Sequence, residues 1–352
     1  MKYKLAIAVT ATTLFVLATV PGASSETPQK NIGPGYDIEM SRMIPLRDGV
    51  RLEAWIFKPS GLRSKAPTVL CPTQYEIDGM TPGRYFTERG YVYAQVYVRG
   101  RGRSGGETSE NLGLQVGRDG YDVVEWIAAQ PWSDGHVVMY GASFFGMTQW
   151  RTAAQNPPHL VGIAAYVPIY PGWDVPNTNG SPQAFSAVIL GDVSGRSHNT
   201  NFVDSDYWQQ KMLEHYAHYR SFRELDDAIG LAQDDWWTSD DHGQMISLMK
   251  MWLDHVGDEA FNLAAELKPD DFARMNFPVL TATGYFDDDQ PGSLRYYRRH
   301  IANAPRAAAR KHFLVIGPWD HIGTHHPVKE IEGLAIPEAG DHISFGPFCS
   351  RH

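Results

Sequence analysis

The chain has 352 residues, with 31 Lys and Arg against 40 Asp and Glu and a formal net charge of −9. That acidic balance argues against nucleic acid or an anionic lipid surface as a partner, because both are polyanions that favour basic patches. Two cysteines give no disulfide framework, while 12% aromatic residues suit a large core with an aromatic pocket.

Residues 1–25 read as an export signal, with Lys2 and Lys4 as the basic start, Leu5 to Val20 as the apolar centre and Ala23-Ser24-Ser25 as the cleavage region. Nothing later is long and apolar enough to span a membrane. The expected location is therefore a periplasm or the exterior, with no membrane partner after cleavage. Residues 36–58 alternate apolar and polar around Arg47-Asp48-Gly49, the pattern of a hairpin with an Asp-Gly turn. Thr68 to Cys71 and Tyr91 to Val98 are apolar runs of central-strand length, and Cys71 is expected to be a buried small hydrophobe.

The glycine-rich stretch Arg99 to Gly106 lacks the Lys-Ser/Thr ending of a phosphate loop, so a turn whose arginines pair with acids is the stronger reading. From Asp119 to Gln130 the spacing of Val123, Val124, Trp126 and Ile127 predicts a helix, with Asp119 near its start as a cap. Val137 to Tyr140 leads into Gly141-Ala142-Ser143-Phe144-Phe145-Gly146, and a helix-compatible segment follows from Met147 to Gln155. A strand, a tight turn bearing Ser and then a helix is how an α/β-hydrolase lifts a nucleophile off its sheet.

Val161 to Val167, Val279 to Thr283 and Phe313 to Ile316 supply further strands. Strands alternating with helices predict an α/β fold with a mostly parallel central sheet. The segment 171–271 breaks this rhythm and reads as a helical cap insertion over the strand ends, between core segments 34–170 and 272–345. His325-His326 and the group Asp234, Asp235, Asp240, Asp241 and His242 lack the spacing of a metal site, so neither metal nor cofactor is expected.

A serine hydroxyl needs a base oriented by a carboxylate. Asp287 follows the strand at Val279 to Thr283, and His321 follows the strand at Phe313 to Ile316. The order Ser143, Asp287, His321 is that of an α/β-hydrolase triad. Ser143 would be the nucleophile, His321 the general base and then acid, and Asp287 the orienting acid. If the imidazole is little perturbed, the rate should rise near its ordinary pKa of about 6.5.

The chain resembles the cocaine esterase / Xaa-Pro dipeptidyl-peptidase group of α/β-hydrolases (S15-like), which also contains α-amino-acid ester hydrolases. The matching pieces are Ile44 to Leu52, Arg99 to Gly106, the serine turn, Gly284-Tyr285-Phe286-Asp287 with Gln290 and Gly292, and Gly317-Pro318-Trp319-Asp320-His321. The resemblance implies the same triad, with an oxyanion hole formed by the Phe144 backbone N–H and the Tyr75 hydroxyl. On spacing alone Tyr75 is an ordinary strand-end tyrosine. Phe144 stands where the family commonly has Tyr.

Asp289 falls near the acids that clamp a substrate ammonium in the amino-ester branch, although Gln290 is its neighbour. Trp173, Phe286 and Trp319, with Phe144 and Tyr285, imply an apolar substrate pocket. The expected activity is hydrolysis of a small ester, amide or short peptide through an acyl-enzyme. An Xaa-Pro dipeptidyl-peptidase and an α-amino-acid ester hydrolase are the enzymatic alternatives. Family members usually continue into a C-terminal β-sandwich, absent after Cys349-Ser350-Arg351-His352, so an inactive truncated fragment is a further alternative.

Overall fold

The computed structural model describes residues 35–75, 79–106, 114–171 and 266–321, with short pieces between 173 and 258 and between 323 and 335. The predicted export signal, most of the predicted insertion 171–271, the acidic residues Asp234, Asp235, Asp240, Asp241 and His242, the pair His325-His326 and Cys349 lie outside the described residues.

The first two strands, β1 (Tyr36–Pro45) and β2 (Arg51–Pro59), form the predicted hairpin. Its turn depends on Gly49, whose φ of 88° is costly for other residues, and on Asp48, whose Oδ1 accepts the Val50 N–H at 3.1 Å. Six more strands complete one sheet: β3 (Ala66–Thr73), β4 (Val92–Tyr97), β5 (Ser133–Ala142), β6 (Leu160–Tyr166), β7 (Val279–Gly284) and β8 (His312–Gly317). The order is β1-β2-β4-β3-β5-β6-β7-β8. Pairing is antiparallel from β1 to β4 and parallel from β4 to β8. Every residue of β4 and β7 is buried, as expected for strands covered on both faces.

The chain reverses direction of growth at β3. After β3 it adds β4 on one side, then crosses to add β5 on the other. A crevice at the carboxyl ends of such neighbouring strands is where open α/β sheets place their ligands.

The helices packed with this sheet among the described residues include α1 (Met80–Thr87), α2 (Leu114–Ala128), α3 (Phe144–Ala154), α4 (Pro269–Ala273), α5 (Gln290–Asn303) and α6 (Arg306–Ala309). α2 begins five residues before the predicted cap, so Asp119 lies inside the helix and is 5% exposed. Its carboxylate accepts from Arg99 Nε at 2.5 Å, Arg99 Nη2 at 2.8 Å and Gln115 Nε2 at 2.7 Å. Arg99 also reaches Asp48 in the hairpin turn, at 2.5 Å. The glycine-rich loop after β4 is therefore anchored by an arginine paired with two acids.

The main core packs α2 and α3 against one face of the sheet through Leu70, Val96, Val123, Ile127, Met139 and Trp150, each at most 2% exposed. Burial of each such side chain contributes roughly 1.5–3 kcal/mol. Trp150 of α3 stacks on Tyr296 of α5, with centroids 4.7 Å apart and planes 1° from parallel. Behind that stack lies a buried imidazole pair. His312 Nδ1 faces His300 Nδ1 at 3.1 Å, and His312 Nε2 faces Thr281 Oγ1 at 2.9 Å. Cys71 of β3 is buried as expected, and desolvation pushes its thiol up to about 12. Among the described residues no helix is long and apolar enough to cross a membrane.

Candidate active site

Ser143 joins β5 to α3 with φ 60° and ψ −123°, backbone angles that cost a non-glycine residue about 1–3 kcal/mol. Hydrogen bonds hold this strain in place. The Ser143 N–H donates to Tyr166 O at 2.9 Å, and Ser143 O accepts the Met147 N–H at 3.0 Å. Gln149 Nε2 donates to Gly141 O and Phe145 O, both at 3.1 Å, tying the turn to its helix. The glycines act as their positions suggest. A Cβ on Gly141 would lie 2.4 Å from Phe145 Cβ, and one on Gly146 would lie 2.8 Å from Pro168 Cα. Val167, at the end of neighbouring β6, also has a positive φ, 37°, although it is β-branched. Two strained residues therefore stand side by side at one sheet edge.

β3 pairs with β5, so the loop leaving β3 arrives beside this turn. Tyr75 packs edge-on against Phe144 and Phe145, with centroids 6.3 and 5.4 Å away. The loop is fixed from several sides. Thr73 Oγ1 accepts the Tyr75 N–H at 2.9 Å, Thr73 O accepts the Val98 N–H at 2.8 Å and Arg101 Nε donates to Gln74 O at 2.6 Å.

Asp287 and His321 come from the loops after β7 and β8. These loops are stitched together by backbone bonds from Tyr285 N to Gly317 O and from Phe286 N to Trp319 O, both 2.9 Å. Gly284 permits the contact, because a Cβ there would fall 1.9 Å from Trp319 O. His321 Nδ1 lies 2.9 Å from Asp287 Oδ1, and the Asp287 side chain is fully buried. Thr283 Oγ1 donates to Asp287 Oδ2 at 2.7 Å, and the Asp289 N–H donates to Oδ1 at 3.1 Å. Three donors thus fix one carboxylate behind one imidazole, leaving Nε2 as the outward nitrogen.

The ring is not electrostatically ordinary. Burial pushes it down, but the Asp287 hydrogen bond and the charges of Asp289, Asp287 and Asp288 outweigh that, raising His321 to about 9. The expectation of a little-shifted imidazole is corrected accordingly: three carboxyl groups face Nδ1 within 3.7 Å. Asp287, Asp289 and His321 also bring ligand-type atoms within 4.8 Å of one another. The 2.9 Å bond between His321 and Asp287 is nonetheless what a general base requires of its orienting acid.

The predicted pocket residues separate. Phe286 is 52% exposed, and Trp173 is 39% exposed with Arg295 over its ring at 4.2 Å. Trp319 is 3% exposed, packs over Gly317 and contributes its carbonyl to the loop stitching. Asp289 is 4% exposed and lies beneath the imidazole. Thr283, Gln149 and Asp174 were missed in the sequence. For Thr283, its place four residues before Asp287 at a strand end was the available signal. Asp174 offered none, because its partner Gly292 lies 118 residues away.

The family described as X-Pro dipeptidyl-peptidase (S15 family) matches residues 48–323, which include Tyr75, Ser143, Asp287 and His321. The chain is 28% identical over 305 residues to the cocaine esterase of Rhodococcus sp. (strain MB1 Bresler), covering 81% of this chain and 49% of that one. It is similar in structure to an aminopeptidase from the marine sediment archaeon Thaumarchaeota archaeon, with TM-score 0.67, 19% identity and coverage of 90% and 54% of the two chains. An α-amino acid ester hydrolase gives TM-score 0.65 at 20% identity, over 92% of this chain and 55% of the other. At these identities the two structures establish a shared fold alone. The chain spans about half the length of the cocaine esterase.

Proposed function

The chain belongs to the X-Pro dipeptidyl-peptidase (S15) family, and on that premise we propose that it is a serine hydrolase cleaving carboxylic esters or small amides through an acyl-enzyme. The observation that carries this reading is the strained Ser143 turn, set on the same sheet edge as the hydrogen-bonded Asp287–His321 pair. Strain of this kind persists only where surrounding contacts over-determine it, and it concentrates at reactive residues.

In this mechanism Ser143 Oγ attacks the carbonyl carbon as His321 Nε2 takes its proton. The Phe144 N–H and the Tyr75 hydroxyl stabilise the oxyanion, where preset donors have their largest effect. Collapse expels the leaving group, which receives the proton from His321. Water, deprotonated by the same nitrogen, then releases the acid and restores the serine. Asp287 keeps Nδ1 protonated throughout and stabilises the imidazolium. Phe286 and Trp173 offer exposed apolar surface for the acyl or alcohol group. Export, motivated by the pattern of Lys2, Lys4 and Leu5 to Val20, is part of the proposal.

A fluorophosphonate probe tests the central claim. Covalent label is expected on the peptide containing Ser143, and Ser143→Ala is expected to lose both label and p-nitrophenyl ester turnover. Unchanged labelling of that variant would remove the reading. Family membership favours a second reading, an Xaa-Pro dipeptidyl-peptidase. Release of p-nitroaniline from Ala-Pro-p-nitroanilide at rates matching simple esters selects it, and no release excludes it.

A further inference from the structure

Asp289 is buried and occupies the N-cap position of α5, yet its side chain makes no capping hydrogen bond. A buried carboxyl without a hydrogen-bonded role costs several kcal/mol and needs an explanation. The capping work is done from elsewhere. Asp174, fully buried in the loop after β6, accepts the Gly292 N–H of α5 at 2.9 Å and the Tyr170 N–H at 2.7 Å. With the helix end satisfied from outside, Asp289 faces His321 instead, its Oδ2 lying 3.6 Å from Nδ1.

We propose that Asp289 is a positioning residue for His321, a second carboxyl behind the imidazole that shares with Asp287 the stabilisation of the imidazolium formed during acylation. The inference rests on the reading of His321 as general base and deepens it. The charged groups facing the ring among the described residues are Asp287, Asp288 and Asp289. Neighbouring Asp320 is turned away, its Oδ1 accepting the Gly323 N–H at 2.6 Å. Asp289 in turn acts on Asp174, raising it. Both are buried acids pushed up by desolvation and by the charges of nearby carboxylates, whereas the His321 charge pulls Asp289 down. Ionised Asp289 and protonated His321 therefore favour one another.

Asp289→Asn keeps the shape and removes the charge. Relative to wild type, plateau kcat on p-nitrophenyl acetate is expected to fall about tenfold with KM unchanged, and the midpoint of the acid limb to move down about one pH unit. Asp289→Glu is expected to restore the midpoint. Asp287→Asn with Asp289→Asn is expected to be at least about tenfold slower than Asp287→Asn alone, because the pair shares one task. Asp289→Ser gives the same readouts should the Asn variant fail to fold.

The His321 ring is also followed by its NMR titration in the full chain, which needs no turnover. A midpoint identical in wild type, Asp289→Asn and Asp289→Ser overturns the inference, even if the enzyme is active. Loss of the Ser143 labelling result overturns the hydrolase reading instead, and the NMR comparison still decides whether Asp289 governs the imidazole.

Discussion

Ser143→Gly is expected to abolish turnover and at the same time to stabilise the fold. Removing the nucleophile of a serine triad lowers kcat about 10⁶-fold, with the residual rate coming from the oxyanion donors and binding. The stability effect follows from φ 60° and ψ −123° at Ser143. Relief of strain by glycine gains about 1–3 kcal/mol, and the extra freedom of the unfolded glycine costs about 0.5–1 kcal/mol. Strain wins by about 1 kcal/mol, which raises the midpoint of thermal unfolding by roughly 1–2 °C in a chain of this size. Ser143→Ala keeps the strained angles and is expected to melt below the glycine variant. Differential scanning calorimetry on the three proteins checks the order. A glycine variant less stable than wild type would mean the turn stores no strain.

The second large effect is on the pH dependence of stability. Burial lowers His300 to about 4 and His312, with its neighbour's charge added, to about 3. Between those values and the unfolded pKa of about 6.5, the unfolded chain binds protons that the native pair refuses. Each histidine then makes stability fall by about 1.4 kcal/mol per unit of acidification. Asp174, raised to about 9 by burial and by nearby carboxylates, acts in the opposite sense. Its native form holds a proton that the unfolded chain has released above about pH 4, so it makes stability rise on acidification.

Two histidines outweigh one acid, so wild-type stability is expected to fall by about 1.4 kcal/mol per unit of acidification between about pH 6 and about pH 4.5. His312→Gln removes one of the first kind, and its stability is expected to increase on acidification, relative to wild type, by about 1.4 kcal/mol per pH unit. Asp174→Asn removes the opposing acid and is expected to show the opposite slope relative to wild type. Urea unfolding at several pH values measures both. Equal slopes in the two variants would show that neither buried group is held in the state its surroundings favour.

The inner strands were legible as short apolar runs bounded by turn residues, and the β1–β2 hairpin by its apolar–polar alternation around Asp48-Gly49, a turn with few alternatives. Ser143, Asp287 and His321 were legible because each follows a strand, so chain order places them on one sheet edge. The start of α2 was not. Gly117 and Gly120 weaken its propensity signal, and Asp119 resembles a cap while serving Arg99. Trp319 was read as pocket wall from its type alone, but a ring packed over Gly317 is part of the scaffold. The Asp174 cap on α5 and the His300–His312 pair were invisible because they join separate elements through space. Local periodicity carries no information about such pairs.

Cys71 makes the middle of the sheet chemically addressable. It lies on β3, flanked by β4 and β5, and the protonated, buried thiol is a poor nucleophile while those neighbours stay in place. Alkylation must therefore wait until the sheet parts, so in a chain carrying Cys349→Ser the rate of adduct formation counts the openings of its most protected layer. One sulfur atom becomes a clock for the whole molecule.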